Sequence, residues 1–517
     1  MKLNEIKFCL LFLTLISCSK EGENIETTNE VMKAHSYRPF YHYSPATNWM
    51  NDPNGMVYYN GQYHLFYQYY PNGTTWGPMH WAHAVSSDLF TWEDKGIKLY
   101  PDDLGYIFSG SAVEDKNNTT GFKINDNNPL VAIFTHHQNI TGNQVQSLAY
   151  STDKGQSWVK YNQNPVLRNP PEIKDFRDPK VIWDSKTQKW IMVLAAFDKV
   201  KIYSSPNLKA WTFESDFGQN QGDHRGVWEC PDLFPIKDQN GIEKWVMIVS
   251  IGGGESAGPN GGSSTQYFIG DFNGKEFVSN QAEVLWADFG TDNYAGVTWS
   301  DIPSSDGRRI FLGWMSNWIY ANSTPTVGWR GEMTVPREIK LVEVNGKRSL
   351  YFPPVKEISN LKETQLSSSS LSPQKDFKLE NNVTIASGSY MVDFEIDLSL
   401  ANQFEFSIGN SLEKLSLVYQ QSSGEFILDR GKSGIVDFSN LFSKSIRCPY
   451  IPKGNNLPIK ILVDKSSIEV FINNGERTLT SLFFPKFEYS FMKITSNVEN
   501  KYLKNITISP IKKSIIR

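Results

Sequence analysis

The chain has 517 residues, with 51 Lys and Arg against 55 Asp and Glu, for a net charge of −4. At 39% hydrophobic and 21% charged it is neither disordered nor collagen-like, and its length predicts two domains with sizeable cores. The charge balance supplies no basic excess for nucleic acid, whereas 15 Trp, 23 Tyr and 31 Phe beside 37 Gly and 26 Pro suit strands joined by tight turns, with aromatic faces for ring-shaped ligands such as sugars.

Lys2 and Lys7 precede a short apolar run, Phe8 to Ile16. The run falls well short of the roughly 20 residues that span a bilayer, so it reads as the core of an export signal. Leu15-Ile16-Ser17-Cys18 resembles a bacterial lipobox, which predicts a signal peptide over 1–17 and lipidation at Cys18; an ordinary signal peptide is the alternative. Residues 18–36 read as a flexible tether whose Lys20-Glu21-Gly22-Glu23 start is similar to export signals of Bacteroidetes surface lipoproteins. Without Cys9 and Cys18, the folded part keeps Cys230 and Cys448, too few for a disulfide framework.

Alternating apolar and polar residues from Asn54 to Tyr69 surround Asn60-Gly61, a hairpin signal that recurs in altered form over Lys180 to Phe197 and Leu233 to Ile251. A second cue is a polar turn leading to a tryptophan, at Ser87 to Trp92, Ser151 to Trp158 and Ser204 to Trp211. Five segments open strand pairs: Trp49 to Pro53, Phe108 to Ser111, Phe176 to Pro179, Trp228 to Pro231 and Tyr294 to Val297. Their spacing of roughly 50 to 70 residues predicts an all-β chain with a five-bladed β-propeller over 37–350, whose blade openings converge on one end of a central channel.

Pro353-Pro354, a helical-looking stretch from Val355 to Glu363 and the run Ser367 to Ser370 mark a linker over 351–371. Beyond it, Val392 to Ile396, Ile459 to Val463 and Ile468 to Ile472 alternate as half-buried strands, predicting a C-terminal β-sandwich over 372–517.

Asp52, Asp178 and Glu229 stand at three of the five openings among aromatic, Asn, Arg and Pro residues. Glycoside hydrolysis needs two carboxyl groups with different tasks, one ionised at the anomeric carbon and one protonating the leaving oxygen. Arg177 beside Asp178 is expected to lower that aspartate's pKa, whereas Trp228 and Cys230 around Glu229 are expected to favour a protonated acid.

Trp49-Met50-Asn51-Asp52-Pro53-Asn54-Gly55, Phe66 to Tyr69, Trp76-Gly77, Phe108 to Ser111, Phe176 to Pro179 and Trp228 to Pro231 stand in the order and spacing of glycoside hydrolase family 32, and Val463 to Phe471 is similar to that family's sandwich signature. The chain thus resembles bacterial levanases, inulinases and invertases. The resemblance implies a retaining hydrolase of β-fructofuranosyl linkages in levan, inulin, fructooligosaccharides or sucrose, with no cofactor. It assigns Asp52 as nucleophile, Glu229 as acid/base and Asp178 as the residue binding fructose hydroxyls as the oxocarbenium-like state forms. Asn51, Gln68, Ser109 and Arg177 would hydrogen-bond the fructosyl unit, Trp76 and Phe108 would wall the pocket, and Trp318 would line it or the next subsite. A fructosyltransferase with the same site, or a non-catalytic surface glycan-binding lipoprotein, are the alternatives. Membrane contact is expected through the lipid alone, at the outer membrane, on the cell surface or the periplasmic face.

His80 and His83, and the pair His136-His137, do not predict a metal, because three-residue spacing on a strand puts side chains on opposite faces. The glycines at 252–254 and 258–262 lack a phosphate-loop ending and read as a surface loop. No Gly-x-Ser-x-Gly elbow surrounds Ser109.

Overall fold

A computed structural model describes residues 37–363 and 374–514. The predicted signal peptide, the tether and Cys18 lie outside these residues.

Among the described residues, five antiparallel sheets follow one another along the first part of the chain, and two more form the second part. The innermost strands of the five are Asn48–Tyr59, Tyr106–Glu114, Phe176–Asp184, Gly226–Lys237 and Tyr294–Thr298. Each touches the next, and the fifth touches the first, so the strands close a ring in the manner of a propeller. The short strand Trp329–Arg330 adds in parallel to the start of Asn48–Tyr59, tying a late segment to the first sheet.

The recurrent tryptophan cue has a physical cause. In the first three sheets the turn before the outermost strand is held by a polar side chain, with Asp88, Asp153 or Asn207 accepting backbone N–H groups. The chain then passes through a positive φ, at Leu89 (70°), Gly155 (82°) and Leu208 (63°). Trp92, Trp158 and Trp211 each donate their indole N–H to the carbonyl of that residue, at 3.1, 3.2 and 2.9 Å. The indole thereby pins the turn that delivers it, and Trp92 is buried while the other two are half-buried.

The linker holds a 3-10 helix, Lys356–Leu361, within the stretch expected to be helical. The second part stacks a six-stranded on a five-stranded sheet. Alternation along Tyr390–Asp397 and Gln403–Gly409 sends Val392, Phe394, Ile396, Phe404, Phe406 and Ile408 into one core, each burial worth about 1.5–3 kcal/mol. Cys230 and Cys448 are both buried and unpaired.

Candidate active site

Regular pleating would send Asn51 and Asp52, or Arg177 and Asp178, to opposite faces of their strands. The innermost strands avoid this with irregular register at each functional segment. The shifts fall between Met50 and Pro53, between Ile107 and Gly110, opposite Asp178 between Val193 and Ala195, between Glu229 and Asp232, and between Tyr294 and Val297. Bulges of this kind bend a strand and re-aim its side chains. Asp178, Cys230 and Ala295 take φ of 66°, 46° and 53° there, values that side-chain-bearing residues rarely adopt.

The bulges bring the predicted residues together. Asp52 Oδ2 accepts from Ser109 Oγ at 2.7 Å, and Oδ1 from Asn51 Nδ2 at 3.0 Å. Asn51 is oriented in turn by the Trp49 indole N–H, 2.7 Å from its Oδ1. Cys230 Sγ stands 3.6 Å from both Asp52 Oδ2 and Asp178 Oδ2, and its backbone N–H donates to Asp178 Oδ2 at 3.1 Å. Gln68 faces the Asn51–Asp52 bulge across the register, and its buried Nε2 donor has no protein partner. Such a donor suits a ligand hydroxyl.

Arg177 is not where the sequence suggested. Its guanidinium donates to Glu229 Oε1 through Nη2 (2.8 Å) and Nε (3.1 Å) and to Asp175 through Nη1 (2.6 Å), while its Nε lies 3.9 Å from Asp178 Oδ2. Asp178 is therefore not depressed. Burial outweighs Arg177, and the Glu229 and Asp52 charges add to it, so the Asp178 pKa rises to about 7. Asp52 is also raised by burial, with the Ser109 and Asn51 hydrogen bonds opposing the shift. Glu229 does not sit in an apolar enclosure: Trp228 buries against Phe268 on the opposite side of the strand, and Glu229 meets Arg177 and the hydroxyl of Tyr294, which donates to its Oε2.

Tyr294 was missed as a site residue, because an aromatic at a blade opening gives no sign of which acid it will meet. Gly252 was misread as loop. It belongs to the strand Glu243–Gly253 opposite Val227, where an added Cβ would stand 2.6 Å from Glu229 Oε2.

The rings form walls. Trp76 meets Phe108 edge-on at 6.1 Å, Phe108 stacks on His137 at 4.3 Å, and Trp318 stacks on Trp49 at 5.8 Å. The backbone N–H of Trp76 donates to Asn322 Oδ1 at 2.9 Å, and Arg330 holds the same loop through Thr74 O, also at 2.9 Å. His80 bonds the carbonyl of Pro78, His83 pairs with His64 at 3.1 Å, and His136 lies beside Ser147 and Asp102. The histidines thus occupy separate environments.

Three carboxyl groups meeting among aromatic rings at one end of a propeller form a site suited to breaking bonds between sugars. The model of the glycosyl hydrolases family 32 N-terminal domain matches residues 42–354, and that of the family 32 C-terminal domain matches 357–510. The chain belongs to glycoside hydrolase family 32. A levanase of Bacillus subtilis (strain 168) is 45% identical over 99% of this chain and 76% of its own length, and a levanbiose-producing levanase of the same organism is 37% identical over 96% and 95%. The crystal structure of exo-inulinase from Aspergillus awamori superposes with a TM-score of 0.85 at 33% identity, covering 92% of this chain and 98% of that one.

Proposed function

We propose that the protein is a retaining β-fructofuranosidase that hydrolyses fructan chains, fructooligosaccharides and sucrose. The observation that carries this reading is the contrast between two acids. Asp52 is buried and held by two neutral donors with an oxygen turned to Ser109, whereas Glu229 is braced by a guanidinium and a phenol.

In this reading an Asp52 oxygen attacks C2 of the fructosyl unit as the C2–O bond to the leaving sugar breaks, and Glu229 gives that oxygen its proton. The fructosyl ester on Asp52 is then opened by water, whose proton returns to Glu229. The second displacement restores the original configuration. Asp178 and Gln68 hold the fructose hydroxyls, most tightly as positive charge develops on the ring. Trp76, Phe108 and Trp318 stack on sugar faces and exclude water, while the fully buried Trp49 backs Trp318 and orients Asn51. The Leu15-Ile16-Ser17-Cys18 segment supports export and lipidation at Cys18, giving an enzyme tethered at the outer membrane and facing polymer.

Incubation with sucrose, levan and inulin tests the reading. It predicts equimolar glucose and fructose from sucrose; trisaccharides in their place would mean transfer, and no product from any of the three would refute it. Fructose alone from levan reports terminal attack and a ladder of oligomers internal attack. Labelled palmitate should mark the wild type and not Cys18→Ser.

A further inference from the structure

The chain enters its fifth innermost strand across the sandwich. Phe289 N–H donates to Thr478 O at 2.9 Å, Asp292 N–H to Thr480 O at 3.2 Å, and Leu482 N–H to Asp292 Oδ2 at 3.0 Å. Gly290 lies so close to the sandwich strand Arg477–Leu482 that an added Cβ would stand 2.0 Å from Thr480 O. The segment laid down on this strand leads within two residues to Tyr294, whose hydroxyl braces Glu229.

One sandwich side chain holds this segment and a second piece of the pocket together. Arg430, on the strand Glu425–Lys432, is fully buried and stacks on Phe442 with its guanidinium carbon 3.8 Å from the ring centre. Nη1 donates to Asp292 Oδ2 at 2.7 Å, to Ser481 Oγ at 3.0 Å and to Leu482 O at 3.0 Å; Nε donates to Phe442 O at 2.8 Å. Nη2 donates to the hydroxyl of Tyr320 at 2.9 Å, and that hydroxyl donates to Asp292 Oδ1 at 2.7 Å. Tyr320 follows Trp318 by two residues, and its N–H donates to Asn317 O at 3.1 Å. Asn317 is itself buried and bonded to Thr291 O and Gly261 O, so the turn carrying Trp318 is fixed at both ends.

We propose that Arg430 is a positioning residue of the active site, acting from the sandwich. Its planar fork sets Asp292, and through it Tyr294 against Glu229; by its other arm it sets Tyr320, and through it the Trp318 wall. The sandwich is then part of the catalytic apparatus and not only a stabilising partner. A lysine cannot replace the fork, since a single ammonium cannot meet acceptors on both sides of a planar group. The inference rests on the reading of Glu229 as acid/base and of Trp318 as a sugar wall.

The test uses full-length Arg430→Met, Arg430→Lys and Tyr320→Phe, each compared with wild type on sucrose and on levan at a temperature well below melting. Arg430→Met is expected to lower kcat and raise KM, the combined kcat/KM loss reaching at least about tenfold, within the roughly hundredfold that a misplacement of about 1 Å can cost. Arg430→Lys is expected to recover Tm in part without recovering kcat. Tyr320→Phe loses only a hydroxyl, and is expected to raise KM several-fold through Trp318 with a smaller change in kcat. If Arg430→Met does not fold, Tyr320→Phe decides. A merely structural role would lower Tm and leave kcat and KM of the folded variants within about twofold of wild type, and that result overturns the proposal. An inactive wild type would instead refute the reading of the site itself.

Discussion

Asp178 combines a left-handed backbone, φ 66°, with near-complete burial and a carboxyl group 3.9 Å from Arg177 Nε. The backbone conformation and the burial work against stability, and Arg177 offsets them only in part. Its pKa of about 7 lies above the ordinary 3.8, so between these values the folded chain keeps a proton that the unfolded chain has released. The contribution of Asp178 to stability therefore falls as pH rises from the lower value through the higher. Asp178→Asn is expected to raise Tm at about pH 8, with a much smaller change at about pH 4, while removing activity. Calorimetry at the two pH values checks this, and a lower Tm at the alkaline value would contradict it. That Asp52, Asp178 and Glu229 would come together was legible in the sequence, since each stands in a short motif at a strand opening. Which acid Arg177 would meet was not: neighbours in sequence need not be partners in space, and the guanidinium reaches Glu229 on the next innermost strand, 52 residues away.

At the scale of the strand, the alternation of apolar and polar residues was enough to place hairpins, and the five openings coincide with the five innermost strands. The bulges were not legible, because an extra residue in one strand is defined by its partner's register and not by its own composition. They are nevertheless what makes the site, bringing Asn51 onto Asp52 and Cys230 between two aspartates. The neighbouring strand contributes by what it lacks. At Gly252 an added Cβ would lie 2.6 Å from Glu229 Oε2 and 2.9 Å from the Tyr294 hydroxyl, so alanine must displace both. Gly252→Ala is expected to lower kcat by about a hundredfold with little loss of Tm, because the strain falls on a side chain at the pocket and not on the core. Unchanged kcat in this variant would show that the Glu229 position is not critical.

At the scale of the whole molecule, the two parts of the chain are joined by buried charge. His42 bridges Asp464 and Glu469, each at 2.9 Å and more than 420 residues away, while Arg337 joins Glu469 to Asp288 of the propeller. Burial alone would lower the His42 pKa, but the hydrogen bonds and charges of the two acids carry it up to about 10. The stabilisation from this histidine is full below the ordinary 6.5, falls progressively as pH rises from there, and is gone above about 10. Two all-β parts could be read from periodicity and turn residues; their joint could not, since its members lie hundreds of residues apart and each resembles a surface charge in sequence. The joint places the sandwich against the segment that leads to Tyr294, which makes catalysis a property of both parts. The central claim remains that Asp52 is the nucleophile of a fructosyl-transferring site, and the turnover of Asp52→Asn on sucrose tests it most directly. The account predicts kcat reduced by at least about a thousandfold, with circular dichroism and Tm matching the wild type. Wild-type turnover from a folded Asp52→Asn protein would contradict it.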